Sequence, residues 1–178
     1  MRRTILLLII LASTLGAVTL LGGNNTTAAQ SLNQEQAARA RSNCTEIKTN
    51  LNQLHASDAL LRVNRGQLYE SMASKLMDNF NNRLAGNRLD NRAMTTVTSN
   101  YRVALSNFRS SYITYEKKLA EAIRIDCTQQ VNDFYAAILE ARDLRSKVYS
   151  SVQSLYRIID DYRLSVSDFV LNYEKVSR

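Results

Sequence analysis

The sequence predicts an all-α protein, an elongated antiparallel three-helix coiled-coil bundle preceded by an N-terminal apolar signal or anchor helix. Three observations lead to this prediction. The chain of 178 residues contains no proline and five glycines, a composition that favours long helices over a turn-rich β fold. Apolar residues recur alternately three and four positions apart over long stretches, as in coiled coils. Two cysteines lie almost symmetrically about Gly86, as expected if they join the open end of a helical hairpin.

Residues 1–29 are predicted to be an export signal or an uncleaved membrane anchor. Two arginines precede an apolar run over residues 5–21, and Thr27-Ala28-Ala29 offers small residues for cleavage. The run is longer than a typical signal core and close to the minimum for a transmembrane helix, so both alternatives stay open. By the positive-inside rule the N-terminus would stay in the cytoplasm. Residues 30–178 are therefore expected to be exported, either anchored to the membrane and facing outward, or secreted or periplasmic.

Residues 31–85 are predicted to form the first long helix of this domain. Its apolar stripe changes near the end to a four-residue spacing, which indicates local straightening of a supercoil. The stripe contains Cys44, Ile47, Leu51, Leu54, Asp58, Leu61, Arg65, Leu68, Met72, Leu76, Phe80 and Leu84. Gly66 has two alternative interpretations: it makes room for a ring near Leu105 and Tyr149, or it breaks the helix.

The turn of the hairpin is predicted at Gly86. Ala85-Gly86-Asn87 contains residues that tolerate a positive φ at a helix C-terminus. Asp90 can accept amide protons at the start of the second helix, which is predicted over residues 90–124. Gly86 lies 42 residues after Cys44 and 41 before Cys127. Because height along a helix is proportional to residue number, the two sulfurs are expected at the same height.

The third helix is predicted over residues 127–177. Asp126 and Gln129 have the spacing of a capping box at its start, and its long apolar stripe is interrupted only at Arg145. If this helix starts level with Cys44, Arg145 lies within about one helical turn of Asp58. We therefore predict a partly buried Asp58–Arg145 ion pair, which sets the register of the helices more than it adds stability.

The two cysteines favour a structural disulfide. An exported chain meets an oxidising environment, and the sequence has no CxxC spacing typical of metal sites. The alternative is that Cys44 and Cys127 are unpaired and buried. In the chain-entropy model, closing this loop stabilises the fold by roughly 4.5 kcal/mol.

The positive charge indicates a candidate site for an anionic partner at the hairpin tip. The formal net charge is +7, and arginine, whose planar fork suits phosphate and carboxylate groups, dominates it. The candidate tip residues are Arg83, Arg88, Arg92, Lys175 and Arg178. The alternative is an ordinary solvated coiled-coil surface. Nucleic-acid binding fits the charge, but export and the lack of a recognisable module argue against it.

No catalytic or cofactor-binding motif is found, so the sequence predicts a protein that is not an enzyme. It has no Walker loop, GxSxG elbow or HExxH motif. The only histidine, His55, lies off the apolar stripe and is expected on the surface, and no cluster has the spacing of a metal site. Five tyrosines on the stripes are expected in the core. The other four are candidates for a contact surface: Tyr69, Tyr135, Tyr149 and Tyr156.

The layout resembles exported helical-bundle proteins of reduced-genome bacteria of the candidate phyla radiation. The resemblance rests on the anchor-like start, on Cys44 opening an amphipathic helix, on Ile125-Asp126-Cys127, and on Phe134-Tyr135 followed by Ala141-Arg142. It implies no known activity. In shape the chain also looks like basic periplasmic holdase chaperones with helical tentacles, although it lacks the flanking β-strands of one such family and the LTxxQ repeats of another.

Three functions are therefore expected in turn. The first is a non-enzymatic envelope or cell-surface protein that presents helical surface to a protein or an anionic envelope partner. The second is a periplasmic holdase chaperone, which would need an apolar concave face exposed between its helices. The third is an extracytoplasmic, sensor-like ligand-binding bundle. The sequence does not indicate the oligomeric state.

Overall fold

The structure of the protein, a computed structural model, describes residues 31–176. All regular secondary structure in this range is helical, which confirms the all-α class. The elements are α1 (Gln34–Ser42), α2 (Cys44–Ser71), a π-helical segment (Met72–Met77), α3 (Asp78–Gly86), α4 (Arg92–Arg124) and α5 (Val131–Val176). The predicted signal or anchor, with its apolar run over 5–21, and Arg178 lie outside the described residues. None of the helices in residues 31–176 is both long and apolar enough to span a bilayer.

The first predicted helix is divided into several pieces. It begins at Gln34 because the side chain of Asn33 accepts a hydrogen bond from the Gln36 amide at 2.8 Å, and Gln36 returns one to the Asn33 amide. A turn at Asn43 separates α1 from α2. The π-helical segment then lies where the apolar spacing changes. A π turn contains an extra residue and so rotates the following side chains about the helix axis.

The apolar stripe predicted for this helix is wrong in its second half. Leu61, Leu68 and Leu76 are about half exposed, whereas Tyr69, Ala73 and Met77 are buried. A strict heptad continuation places Leu68 inward, but the core packs the ring of the following residue instead. Between Asp58 and Tyr69 none of the α2 residues is buried. The middle of α2 therefore stands away from the helices beneath it.

Gly66 lies within this exposed part of α2, and neither of its predicted roles is found. The helix continues through it without a break. A Cβ atom added at Gly66 would meet nothing within 4 Å. No ring therefore packs into the space that its missing side chain leaves.

The turn after α3 uses a different residue for the left-handed conformation than the sequence predicts. Gly86 ends α3, but the positive φ, 56°, is at Arg88. The Leu89 amide donates to the Leu84 carbonyl at 2.9 Å and the Arg88 amide donates to the Ala85 carbonyl at 3.0 Å. This pair of bonds is a Schellman motif, in which glycine usually occupies the place of Arg88.

Helix α4 packs against α2, the π-helical segment, α3 and α5, and it supplies much of the buried core. Its most buried rings and chains include Tyr101, Leu105 and Phe108. A buried polar cluster joins three helices: Asn81 donates to Thr98 at 2.8 Å and accepts from the hydroxyl of Tyr162 at 3.0 Å. Hydrogen bonding satisfies these polar groups inside an otherwise apolar core.

The disulfide joins Cys44, the first residue of α2, to Cys127, with a Cα–Cα distance of 5.7 Å. Phe134 packs against it. Helix α5 starts at Val131, four residues later than predicted, because the carboxylate of Asp126 accepts from the amide and hydroxyl of Thr128 at 2.9 and 2.7 Å. These bonds hold a separate turn around Cys127 before the helix begins.

Candidate binding groove

A groove runs between α2 and α5, with α4 as its floor, and we call it the α2–α5 groove. Its cavity volume is about 670 Å³. The side chains used below are Asp58, Arg62, Arg65 and Tyr69 of α2, Phe108, Tyr112 and Tyr115 of α4, and Arg142, Arg145, Tyr149 and Tyr156 of α5. The α2 positions are three and four residues apart, so they share one face of that helix. The groove exists because α2 lacks buried residues over this length.

An ion pair bridges α2 and α5 at the end of the groove nearer the disulfide. The guanidinium of Arg145 donates from Nε to Asp58 Oδ2 at 2.8 Å and from Nη2 to Oδ1 at 3.0 Å. Tyr115 donates its hydroxyl to Asp58 Oδ2 at 2.7 Å. Burial alone would raise the pKa of Asp58, but the hydrogen bonds from Arg145 and Tyr115 outweigh it and lower that pKa. The predicted pair is present, and it forms one end of the groove.

Three aromatic rings close the other end of the groove. Tyr69 makes edge-to-face contacts with Phe108 and Tyr156, with centroids 5.4 and 6.3 Å apart. The hydroxyl of Tyr101 donates to the Tyr69 carbonyl at 3.1 Å. Burial, with a smaller contribution from Tyr156, raises the pKa of Tyr69 to about 12. Tyr69 therefore stays a neutral phenol over the physiological range.

The two sides of the groove differ in chemistry. On α2 the side is basic, formed by Arg62 and Arg65. On α5 it is aromatic, since Tyr149 and Tyr156 are 64% and 43% exposed. An anion and an apolar surface could therefore be contacted at the same time, one from each side.

Tyr112 lies in the floor between these sides. The guanidinium of Arg62 lies over its ring, 5.1 Å from the centroid. Its hydroxyl is buried and has no hydrogen-bond partner among the described residues. Burial raises the pKa of Tyr112, so the group stays protonated. An unsatisfied hydroxyl at such a position is unusual in a folded protein and marks unused hydrogen-bonding capacity.

The arginines of the groove are unequally engaged. Arg145 is occupied by Asp58, and Arg62 approaches Glu116 only at 3.9 Å. Within residues 31–176, Arg65 and Arg142 form no ion pair. The lining thus carries four guanidinium groups against one carboxylate. It has a net positive charge.

The predicted basic tip is less coherent than this groove. Arg83, Arg88 and Lys175 are exposed. Arg92 is engaged, because its Nη2 lies 2.7 Å from Asp90 Oδ2, and this carboxylate also accepts from the Arg92 amide, as predicted. That bond stabilises the start of α4.

The sequence interpretation missed most of the groove. Arg62, Arg142 and Tyr112 were not singled out, and Tyr69, which was predicted on a contact surface, is almost fully buried. His55 is half-buried, and its Nε2 is buried without a partner; it is not the solvated residue predicted. The available signal was the apolar stripe itself, which places Arg65 between leucines where a continuous seam needs an apolar residue.

No group of histidine, cysteine, aspartate and glutamate side chains in the described part of the chain is arranged to hold a metal ion. A scan against protein-family models and searches of curated proteins and of solved structures found no match.

Proposed function

We propose that this protein is a non-enzymatic, exported helical-bundle protein that presents the α2–α5 groove to a protein or an anionic component of the cell envelope. The observation that carries the proposal is the groove itself, which leaves large aromatic side chains exposed beside uncompensated arginines. Exposed apolar surface next to polar groups is typical of binding sites. The Cys44–Cys127 disulfide supports an oxidising location outside the cytoplasm.

The long helices of the proposed protein form an antiparallel three-helix coiled-coil bundle. Two pairs support this arrangement, Asp58 with Arg145 and Tyr69 with Tyr156, because residue numbers ascend together along α2 and α5. Contacts of α2 with α4 descend along α4, from Tyr115 at Asp58 to Phe108 at Tyr69. In such a bundle α4 runs opposite to its two neighbours.

Site-specific photo-crosslinking in the native envelope tests the proposed surface. Tyr149→p-benzoylphenylalanine puts the reactive group in the groove, and Val103→p-benzoylphenylalanine puts it on a position of α4 that is also well exposed but outside the groove. We expect a discrete adduct from position 149 and none of the same mass from position 103. Equal labelling at both positions, or none at either, would remove the groove from the proposal.

A holdase chaperone is the second candidate function. The observation that favours it is the partly apolar, concave surface formed by Leu61, Tyr149 and Tyr156, which are 43 to 64% exposed. The test is suppression of aggregation of an unfolded outer-membrane protein. A holdase would suppress aggregation, and Tyr149→Gln together with Tyr156→Gln would weaken the effect. If the wild-type protein has no effect at equimolar concentration, this candidate is rejected.

A further inference from the structure

We infer that the α2–α5 groove binds a small amphiphilic anion, a molecule with one carboxylate or phosphate group and an aromatic or aliphatic body. This inference rests on the proposed function, because it assigns the occupant of the same groove. It corresponds to the sensor-like ligand-binding bundle among the functions expected from the sequence. Size, charge and apolar surface each limit the class of ligand.

The length of the groove selects a small molecule over a partner helix. Asp58 and Tyr69, at its two ends, are eleven residues apart on α2, which corresponds to about 16 Å. At each end a side-chain contact bridges α2 and α5: the Asp58–Arg145 ion pair and the Tyr69–Tyr156 ring contact. A helix passing along the groove would have to break both. The volume of about 670 Å³ lies within the range of small-molecule sites.

The charge of the groove selects an anion. Arg62 and Arg65 lie one turn apart on α2, and the only carboxylate in the lining, Asp58, already accepts hydrogen bonds from Arg145 and Tyr115. The two α2 guanidinium groups are therefore available as a pair to a carboxylate or phosphate. Planar guanidinium groups bind both by paired hydrogen bonds.

The opposite side selects an apolar body. Because Arg145 is level with Asp58 and Tyr156 with Tyr69, Tyr149 is level with Arg62 across the groove. Tyr149 is 64% exposed and Leu61 is 50% exposed, and contact with a ligand would remove both from water. A body lying against Tyr149 leaves the charged group of the ligand beside Arg62. The buried hydroxyl of Tyr112, beneath the Arg62 guanidinium, adds a donor if Arg62 moves to meet the anion.

Calorimetric titration with four ligands of equal tail length tests the inference. The probes are decanoate and decyl phosphate as anions, decyl maltoside as the neutral control and decyltrimethylammonium as the cationic control, all below their micelle-forming concentrations. We expect saturable binding of one anion per chain, weakened by added salt, with at least tenfold weaker binding of the neutral and cationic probes. Equal affinity for all four probes would overturn the inference, since tails alone would then account for binding.

Matched arginine variants locate the site. The Arg62→Gln/Arg65→Gln double variant should bind the anions at least tenfold more weakly, whereas Arg157→Gln, an exposed arginine of α5 outside the groove, should bind like the wild type. A helical circular-dichroism spectrum with an unchanged melting temperature is required of each variant. If the double variant unfolds, Ser146→Trp, which fills the groove from an exposed position of α5, replaces it. Unchanged binding in a folded variant contradicts the assignment.

Two further arms separate the source of the anion and the fate of the proposed function. Co-flotation with phosphatidylglycerol vesicles but not phosphatidylcholine vesicles, lost in the double variant, identifies a lipid headgroup; binding of free decanoate without flotation identifies a soluble anion. If no anionic probe binds while position 149 crosslinks to a protein, the inference is wrong and the proposed function stands. If neither occurs, both are rejected.

Discussion

At the scale of single residues, Asp58 shows how one polar side chain in an apolar stripe connects three helices. Its carboxylate accepts hydrogen bonds from Arg145 of α5 and Tyr115 of α4, and its side chain is 9% exposed, against 51% for Arg145. An isolated carboxylate at this depth would be unfavourable unless it were paired. The pair therefore favours the register in which Arg145 reaches Asp58.

The Asp58 carboxylate makes stability depend on pH in the acid range. Its folded pKa lies below the unfolded value, which is about 3.9 for aspartate. Its stabilising contribution is therefore complete above that value and is lost as pH falls through the folded pKa. We expect the free energy of unfolding, measured by urea titration from pH 6 to pH 2, to decrease below about pH 4 in the wild type. The decrease should be smaller in Asp58→Asn.

Arg145→Leu removes the partner and leaves Asp58 with one hydrogen bond. We expect a loss of about 2 kcal/mol at pH 7, the magnitude for hydrogen bonds to a charged group. Arg142→Leu, on the same helix and without an ion pair among residues 31–176, is the matched control and should change stability little. An unchanged melting temperature and oligomeric state in Arg145→Leu would contradict the role of this pair in setting register.

At the scale of elements, the ends of the helices follow local side-chain chemistry, whereas their interruptions follow packing. Asn33, Asp90 and Asp126 all accept backbone amide protons near helix starts, as their residue types lead one to expect. The π-helical segment follows instead from the need to bury Ala73 and Met77 after Tyr69. A hydrophobic pattern alone shows that the spacing changes there, but it does not specify which side chains then face the core.

The turn after α3 offers a test at this scale. Arg88 has a left-handed φ of 56°, which a residue with a Cβ adopts less readily than glycine. We expect Arg88→Gly to stabilise the protein by about 0.5–1 kcal/mol, measured by urea denaturation. Gly86→Ala is the useful comparison, since Gly86 has no positive φ and an added Cβ meets nothing within 4 Å; it should not destabilise the turn. Destabilisation by Arg88→Gly would show that the arginine side chain makes a stabilising contact.

At the scale of the whole molecule, the disulfide connects the start of α2 to the segment before α5 across a separation of 83 residues. We expect the Cys44→Ala/Cys127→Ala double variant to lose about 4.5 kcal/mol, because the unfolded chain regains the entropy of an open loop. Single variants should behave like the double variant once thiol-mediated dimers are prevented by alkylation. A loss below about 1 kcal/mol would mean that the unlinked unfolded chain is already compact.

The sequence by itself determined the all-α class, the cysteine pair, the Asp58–Arg145 pair and the approximate position of the turn. These features depend on periodicity, on distance along a helix and on the preferences of capping residues, all of which are local or proportional to residue number. Only the tertiary structure decided that Tyr69 and not Leu68 faces inward, that Arg88 takes the left-handed conformation, and that α2 stands away from α5 between residues 58 and 69. The groove depends on how rings from three helices share one volume, and no spacing within a single helix contains that information.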